Sequence, residues 1–600
     1  MSPFHSHPTR TAPWPNEHLS APWMLWGLVL PLIVYAVRAI SIVTQPDIPF
    51  DTLHTYLPLA RQWMENASAL MQNPESLKVA PGTVVYMALA GADPTTIKAS
   101  NLAISLAAIT LVFDAARRIG GNLAGAAAAW LFVLPPMLLE AGMVLMGEPP
   151  FVFLVALWLW ACAYAVGPVP GPRAQRWQWG AVALGGLALS AATLTRATYM
   201  YWLPFAALAF FIASRVLPTG YRTATMRIAA AHLIALALVG AYMARQEVVF
   251  GKPIIATGSG AALYFGSNPV LFGYEPPYFG LSHDQGTVTD DIPHLSLEGD
   301  RRLGTVARAM LQDIPVPRLL EMYVQKLGAV LFFSRAHLNG HAMNERGWRV
   351  ILVLLAGLGL WGGRRHPMVW LLAGAAAYQA AIHTLVLYNP RYSVSALDLL
   401  LVGLAAQGVA LLWRPRPLRA AVLAGSIAVL AAAIAVGAYH RKNSRPLMPD
   451  LRLAPHSIRL QQAEANTITT QGWDQDPFSA NARMVSGKAS LEWAPSQLHM
   501  GYSSILRLAM PQFEGKCQRL WIHYKPPSGG TRSILVRLRG LRSGQDITWG
   551  TAPLLPADPA GRLVMEFECK PGTRMQLGEL GLYDASFGRF YRQEALRHAP

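Results

Sequence analysis

The chain has 600 residues and a net charge of +17, with 53% hydrophobic and only 14% charged residues. A positive mean hydropathy at this size excludes an ordinary soluble enzyme, which carries about 25% charged residues. The basic excess does not mark a nucleic-acid binder, because the basic residues sit between apolar runs instead of forming one patch or stripe.

Runs near the length that crosses a bilayer, about 20 apolar residues, occupy 23–44, 96–114, 120–139, 150–166, 177–194, 199–213 and 228–244, then 348–362, 367–387, 394–413 and 417–438. These make about eleven predicted membrane helices, or as many as about 13 if 319–334, interrupted by Glu321 and Lys326, crosses instead of lying along the interface. The first run is long enough to span and reads as an uncleaved anchor behind a cytoplasmic tail, 1–22. Arg117 and Arg118, Arg173 and Arg176, Arg215, Arg222 and Arg227, Arg364 and Arg365, and Arg414, Arg416 and Arg419 fall mostly in alternate connections. That bias places the N-terminus and these loops in the cytoplasm of a bacterial inner membrane, with 45–95, 248–348 and everything after 440 on the periplasmic side.

The outward stretch 250–349 is too long for a connector, and its aromatic, Gly/Pro-rich start (Tyr264, Phe265, Phe272, Tyr274) reads as an ordered lid. Beyond 23–440 the pattern changes to short alternating runs between Pro, Gly and Ser clusters, which predicts a C-terminal β-sandwich of jelly-roll type over 441–600. Its Trp473, Trp493, Trp521 and Trp549 either fill that core or stack on sugars. Cys517 and Cys569 would face an oxidising compartment, where a disulfide stands as one outcome and free thiols as the other. Cys162 lies inside a span and reads as core.

Two carboxylates stand at outer span ends. In PDIPFDTLHTYLPLARQW, Asp51 precedes an amphipathic surface helix; it either accepts a proton from an acceptor hydroxyl or caps that helix. In MGEPPFVF, Glu148 opens the next outward-starting span, and Pro149 and Pro150 equally suit a plain helix start. A leaving phosphate needs no proton where cations neutralise it. Arg61, Lys78, Arg196, Arg245, Lys252 and Arg391 are available, against the alternative that each snorkels to headgroups. The histidines lack zinc-ligand spacing and no acidic triplet suits magnesium, so no cofactor is expected and a divalent cation has no support in the sequence.

The order of these features resembles the GT-C class of membrane glycosyltransferases, in the branch of protein O-mannosyltransferases and the lipid A aminoarabinose transferase, over roughly 23–413. Asp51, Tyr56 and Ala60 echo its first outer loop, although Thr52 stands where a second acid is usual. KVAPGTVVY (Lys78 to Tyr86) is similar to its basic, Pro-containing lead into an outer helix. LTRATYM is similar to its Thr-Arg-Pro stretch, with Ala197 in place of the proline. ARQEVVFGKPIIATGSGAALYFGSNP places Arg245, Asn268 and Pro269 on its Arg-Asn and Asn-Pro series, and YNPRYSVSALDLL places Arg391 and Tyr392 on its Arg-Tyr stretch without the later proline.

The resemblance implies a GT-C fold and an inverting transfer from a polyprenyl-phosphate sugar, with undecaprenyl phosphate as carrier, to a lipid, glycan or protein acceptor. It implies Asp51 as base, Glu148 supporting a sugar, and Lys78, Arg245 and Arg391 neutralising the phosphate. Tyr56, Arg61, Tyr86, Arg196, Asn268 and Tyr392 would line the substrate. The rival readings are an O-antigen ligase or polymerase, a transporter, for which Asp114 and Asp398 are the evident acids inside spans, and a sugar-binding membrane protein.

Overall fold

The computed structural model describes residues 20–44, 48–49, 51–167, 173–267, 289, 292–313, 316–333 and 345–413, and strands between 457 and 584. Among these, six helices are long and apolar enough to cross a membrane: Ala21–Val43, Pro94–Gly120, Glu148–Val166, Thr219–Phe250, Pro367–Leu385 and Pro390–Leu412. Ala174–Thr195, Trp202–Val216 and Arg346–Gly363 are further helices at predicted spans. The predicted run 417–438 lies outside the described residues. Trp26, Val37, Phe205 and Leu208 remain exposed, as expected of side chains that meet lipid instead of water. The chain therefore reads as a multi-pass membrane protein.

Helix starts follow the sequence closely. Pro94 opens the second span behind Asp93, whose Oδ2 accepts from the Thr96 amide and the Thr96 hydroxyl at 2.8 Å each. The predicted run 120–139 is not one helix. Pro135 and Pro136 remove two amides, and Asn122–Val133 and Pro136–Met143 meet at a 76° bend. The backbone groups freed by that break are taken up by two charged side chains. Arg38 donates to the carbonyls of Val133 and Leu134, the latter at 3.0 Å, and Glu345 Oε1 accepts from the Met137 amide at 2.7 Å. A broken helix at membrane depth requires such partners, since an unpaired amide or carbonyl in hydrocarbon costs several kcal/mol.

Three helices outside the six fall in the predicted outward stretch 250–349. Ser259–Gly266 lies against Leu297–Asp313, where Asp300 Oδ1 accepts from the Ala261 amide at 2.9 Å. Lys326, buried on helix Val316–Phe332, donates through Nζ to the carbonyls of Gly266 (2.8 Å) and Val386. The predicted lid is thus helical where described, and it is tied both to itself and to the end of helix Pro367–Leu385.

The C-terminal strands are all antiparallel. A five-stranded sheet runs Phe478–Val485, Lys488–Pro495, Arg562–Cys569, Cys517–Lys525, Arg532–Arg537. A four-stranded sheet runs Thr467–Gln471, Ser457–Gln461, Arg574–Leu577, Gln512–Glu514. A three-stranded sheet runs Leu580–Asp584, Ser504–Met510, Gln545–Gly550. In the first of these, Cys569 and Cys517 are Cα partners on neighbouring strands, beside a register shift at Glu568.

Candidate active site

Glu148 is the first residue of its span and is buried at 3% exposure. Its Oε1 faces two guanidiniums, with Arg196 Nη1 at 3.1 Å and Arg391 Nε at 3.2 Å. Arg196 reaches it because helix Ala174–Thr195 ends there and the residue turns extended, at φ −146° and ψ 118°. Its Nη1 also donates to Ser395 Oγ at 2.8 Å, and its guanidinium lies 5.0 Å from the Tyr392 ring centre. Arg391 sits in the first turn of helix Pro390–Leu412, where Asn389 Oδ1 accepts from its amide at 2.9 Å. The Arg391 guanidinium lies 4.8 Å from the Tyr392 ring centre and donates to the Tyr392 hydroxyl at 3.1 Å.

One carboxylate against two guanidiniums leaves a positive charge in excess among these groups. The Arg391 side chain is 34% exposed where Glu148 is 4%, so the cluster opens to its surroundings on the Arg391 side. Tyr56 belongs to the same neighbourhood. Burial pushes its phenol well above the ordinary range, and the Glu148 carboxylate pushes the same way, against Arg391 and Arg196.

Helix Pro81–Leu89 sets the spacing between Glu148 and Arg196. Thr83 Oγ1 donates to the Thr195 carbonyl at 3.2 Å, next to Arg196, and a Cβ on Gly147 would come within 2.5 Å of the same Thr83 oxygen. A Cβ on Gly82 would lie 2.5 Å from Thr195 Oγ1, so this three-way approach needs glycine at both places. Tyr86 donates to Asn101 Oδ1 at 2.6 Å, and Asn101 Nδ2 donates to the Val144 carbonyl at 3.0 Å, fixing the segment ahead of Glu148. Tyr86 is therefore a support of the site through Asn101.

Asp51 is exposed, and its side chain accepts no capping hydrogen bond from the π turn Thr52–Tyr56. The capping reading of Asp51 thus loses its structural basis. Its neighbour Thr52 is fully buried and donates to the Leu145 carbonyl, three residues before Glu148. An ionised acid at position 52 could not donate this bond. Thr52→Val keeps the shape and strands the carbonyl, at a cost of about 1–3 kcal/mol. Thermal unfolding in detergent should fall accordingly, and Thr52→Ser should recover most of it; equal midpoints for the Val and Ser variants would show that the hydroxyl contributes nothing.

Lys78 ends the short turn Pro74–Lys78 and is ion-paired with Glu75. His294 shares a neighbourhood with Lys78 and Asp51. Burial depresses its imidazole below the ordinary range; the carboxylates of Asp300 and Asp51 act to raise it, and Lys78 acts to lower it. Thr257 joins the segments involved, its hydroxyl donating to the carbonyls of Leu77 (3.0 Å) and Leu295 (2.5 Å).

Other predicted residues are placed differently. Arg245 spends its guanidinium on the Met71 carbonyl (3.0 Å) and on Gln246 Oε1 (3.2 Å), holding the end of helix Leu57–Leu70. Arg61 is exposed on that helix, and Asn268 lies outside the described residues. Among the described residues no group of three or more His, Cys, Asp or Glu is arranged to hold a metal.

No family model and no curated protein sequence matches the chain. Solved structures similar to it include the following two. ArnT from Cupriavidus metallidurans bound to undecaprenyl phosphate is 15% identical, with a TM-score of 0.30 over 65% of this chain and 77% of that one. Arabinosyltransferase EmbB from Mycobacterium smegmatis is 13% identical, with a TM-score of 0.24 over 93% of this chain and 65% of that one. At these scores neither likeness carries an argument about chemistry.

Proposed function

We propose that the chain is an inverting GT-C glycosyltransferase that moves a sugar from a polyprenyl monophosphate to an acceptor hydroxyl at the outer face of a bacterial inner membrane. The observation that carries this reading is the buried Glu148 between Arg196 and Arg391, a cluster of one carboxylate and two guanidiniums that is most exposed at Arg391. A phosphate monoanion balances that charge, and guanidiniums bind phosphate through charge-assisted hydrogen bonds. The apolar spans around the cluster suit the lipid tail of such a donor.

In this reading Asp51 takes the proton of the acceptor hydroxyl as its oxygen bonds to the anomeric carbon. The bond from that carbon to the phosphate oxygen breaks, and the electron pair leaves on the lipid phosphate. Arg391 and Arg196 hold the developing charge, with Lys78 on the same side, so the leaving group needs no acid. Glu148 keeps the two guanidiniums from repelling each other and aims them. Arg245, bound to the Met71 carbonyl, is assigned to the scaffold instead of the phosphate.

The transporter alternative draws no support from the acids inside spans. Asp114 is ion-paired with Arg117 (2.5 Å) and Arg118 (2.6 Å), and Asp398 is ion-paired with Arg349. Both carboxylates are engaged by arginines. The test is to incubate purified protein with a radiolabelled polyprenyl-phosphate sugar and membrane acceptors. Free lipid phosphate and labelled acceptor should appear together in the wild type, and both should fall by about 10²-fold or more in Arg391→Ala. Label that crosses a vesicle membrane without release of lipid phosphate would overturn the reading in favour of transport.

A further inference from the structure

Glu345 and Arg349 stand one turn apart at the start of helix Arg346–Gly363, and both are buried. Glu345 holds the Met137 amide of the broken span that leads to Glu148. Arg349 closes the end of helix Val316–Phe332, donating Nε to the Leu331 carbonyl and Nη2 to the Val330 carbonyl, each at 3.1 Å. Its guanidinium lies 4.8 Å from the ring of Phe333, a residue held in left-handed backbone at φ 57°. That conformation is strained in a residue other than glycine and persists only where its surroundings impose it. The remaining nitrogen, Nη1, is ion-paired with Asp398.

Asp398 closes the π turn Val394–Asp398 inside helix Pro390–Leu412. It lies seven residues beyond Arg391, about 10 Å along the helix axis. A π turn inserts one residue and so re-aims every side chain before it; such turns recur at functional sites. The residues it re-aims here are Arg391 and Tyr392, and Ser395, which binds Arg196, lies within it.

A buried ion pair is a poor choice for stability alone. Well-packed apolar residues in its place are often neutral or better, whereas removing one partner is costly. A pair fixed by two carbonyls on one side and a helix on the other does, however, lock that helix in depth and rotation. We propose that the Arg349–Asp398 ion pair is a positioning device that sets the aim of Arg391, Tyr392 and Ser395 toward the donor phosphate. Through Glu345, the same helix start also sets the broken span ahead of Glu148, so both walls of the cluster hang from one turn.

The proposal rests on reading the cluster as a lipid-monophosphate site, and undecaprenyl phosphate is the probe. Binding to the full chain in nanodiscs is measured by native mass spectrometry for wild type, Arg391→Ala, Asp398→Asn, Asp398→Glu and the double variant Arg349→Met, Asp398→Leu. Wild type should bind and Arg391→Ala should not; failure there sinks the site reading itself. Given wild-type binding, Asp398→Asn and the double variant should bind about tenfold more weakly or worse, and Asp398→Glu, which keeps the charge, should stay within about threefold. Folded Asp398→Asn or double-variant protein that binds like wild type would overturn the positioning role. So would loss of the fold in both, because the pair would then be a fold determinant only.

Discussion

Asp51→Asn is expected to lower sugar transfer by about 10²–10⁴-fold, the usual share of a general base, while undecaprenyl phosphate still binds. The expectation follows from placement. Asp51 is exposed just beyond the end of the first span, free of the helix cap that would otherwise occupy it, and electrostatically linked to His294 beside Lys78. The π turn that it opens is pinned through Thr52 to the segment leading to Glu148, so Asp51 and the arginine cluster are joined by that contact. The substitution removes a proton acceptor and changes neither size nor backbone preference. The loss should therefore appear in the turnover rate at saturating donor and not in the donor concentration needed for half-maximal rate. Asn that transfers at the wild-type rate would remove Asp51 from the chemistry. A matching loss of lipid binding would move it to the donor site instead.

His294 shows why part of this neighbourhood was not legible in the sequence. A single histidine in a long loop carries no spacing signal, and Thr257, which ties the segments of Leu77 and Leu295 together, brings it toward Lys78. The spans were legible because run length and hydropathy suffice to find them. The run 120–139 does not show the bend by its apolar length, which is blind to direction; the cause lies in Pro135 beside Pro136. Arginines divide similarly. Arg196 and Arg391 converge on Glu148 from 48 and 243 residues further along the chain, and their type and position mark them only as two of several available cations. Arg245 looked equivalent by type and side of the membrane. Its guanidinium is nevertheless taken by a helix-end carbonyl, and no pattern in the chain predicts which carbonyl an arginine will find. The alternating runs beyond 440 did predict strands, since period-two patterning reports strand pairing directly.

Glu148→Ala should be the most damaging single change in the cluster, and its two effects can be separated. Removing one partner of a buried ion pair costs about 3–5 kcal/mol, because the other charge stays buried without compensation. Here two guanidiniums are left, Arg196 and Arg391, both previously drawn to the same oxygen. The thermal midpoint should drop sharply and transfer should be lost. Glu148→Gln keeps an amide oxygen within reach of both arginines and should unfold closer to wild type, with transfer still reduced because the oxygen no longer carries charge. Undecaprenyl phosphate then discriminates the cause. If the cluster is a phosphate site, the added anion takes over the role of the missing carboxylate, and the lipid should raise the midpoint of the Ala variant more than that of wild type. An equal shift in both would mean that the phosphate binds elsewhere, and Glu148 would keep the two arginines apart for structural reasons only.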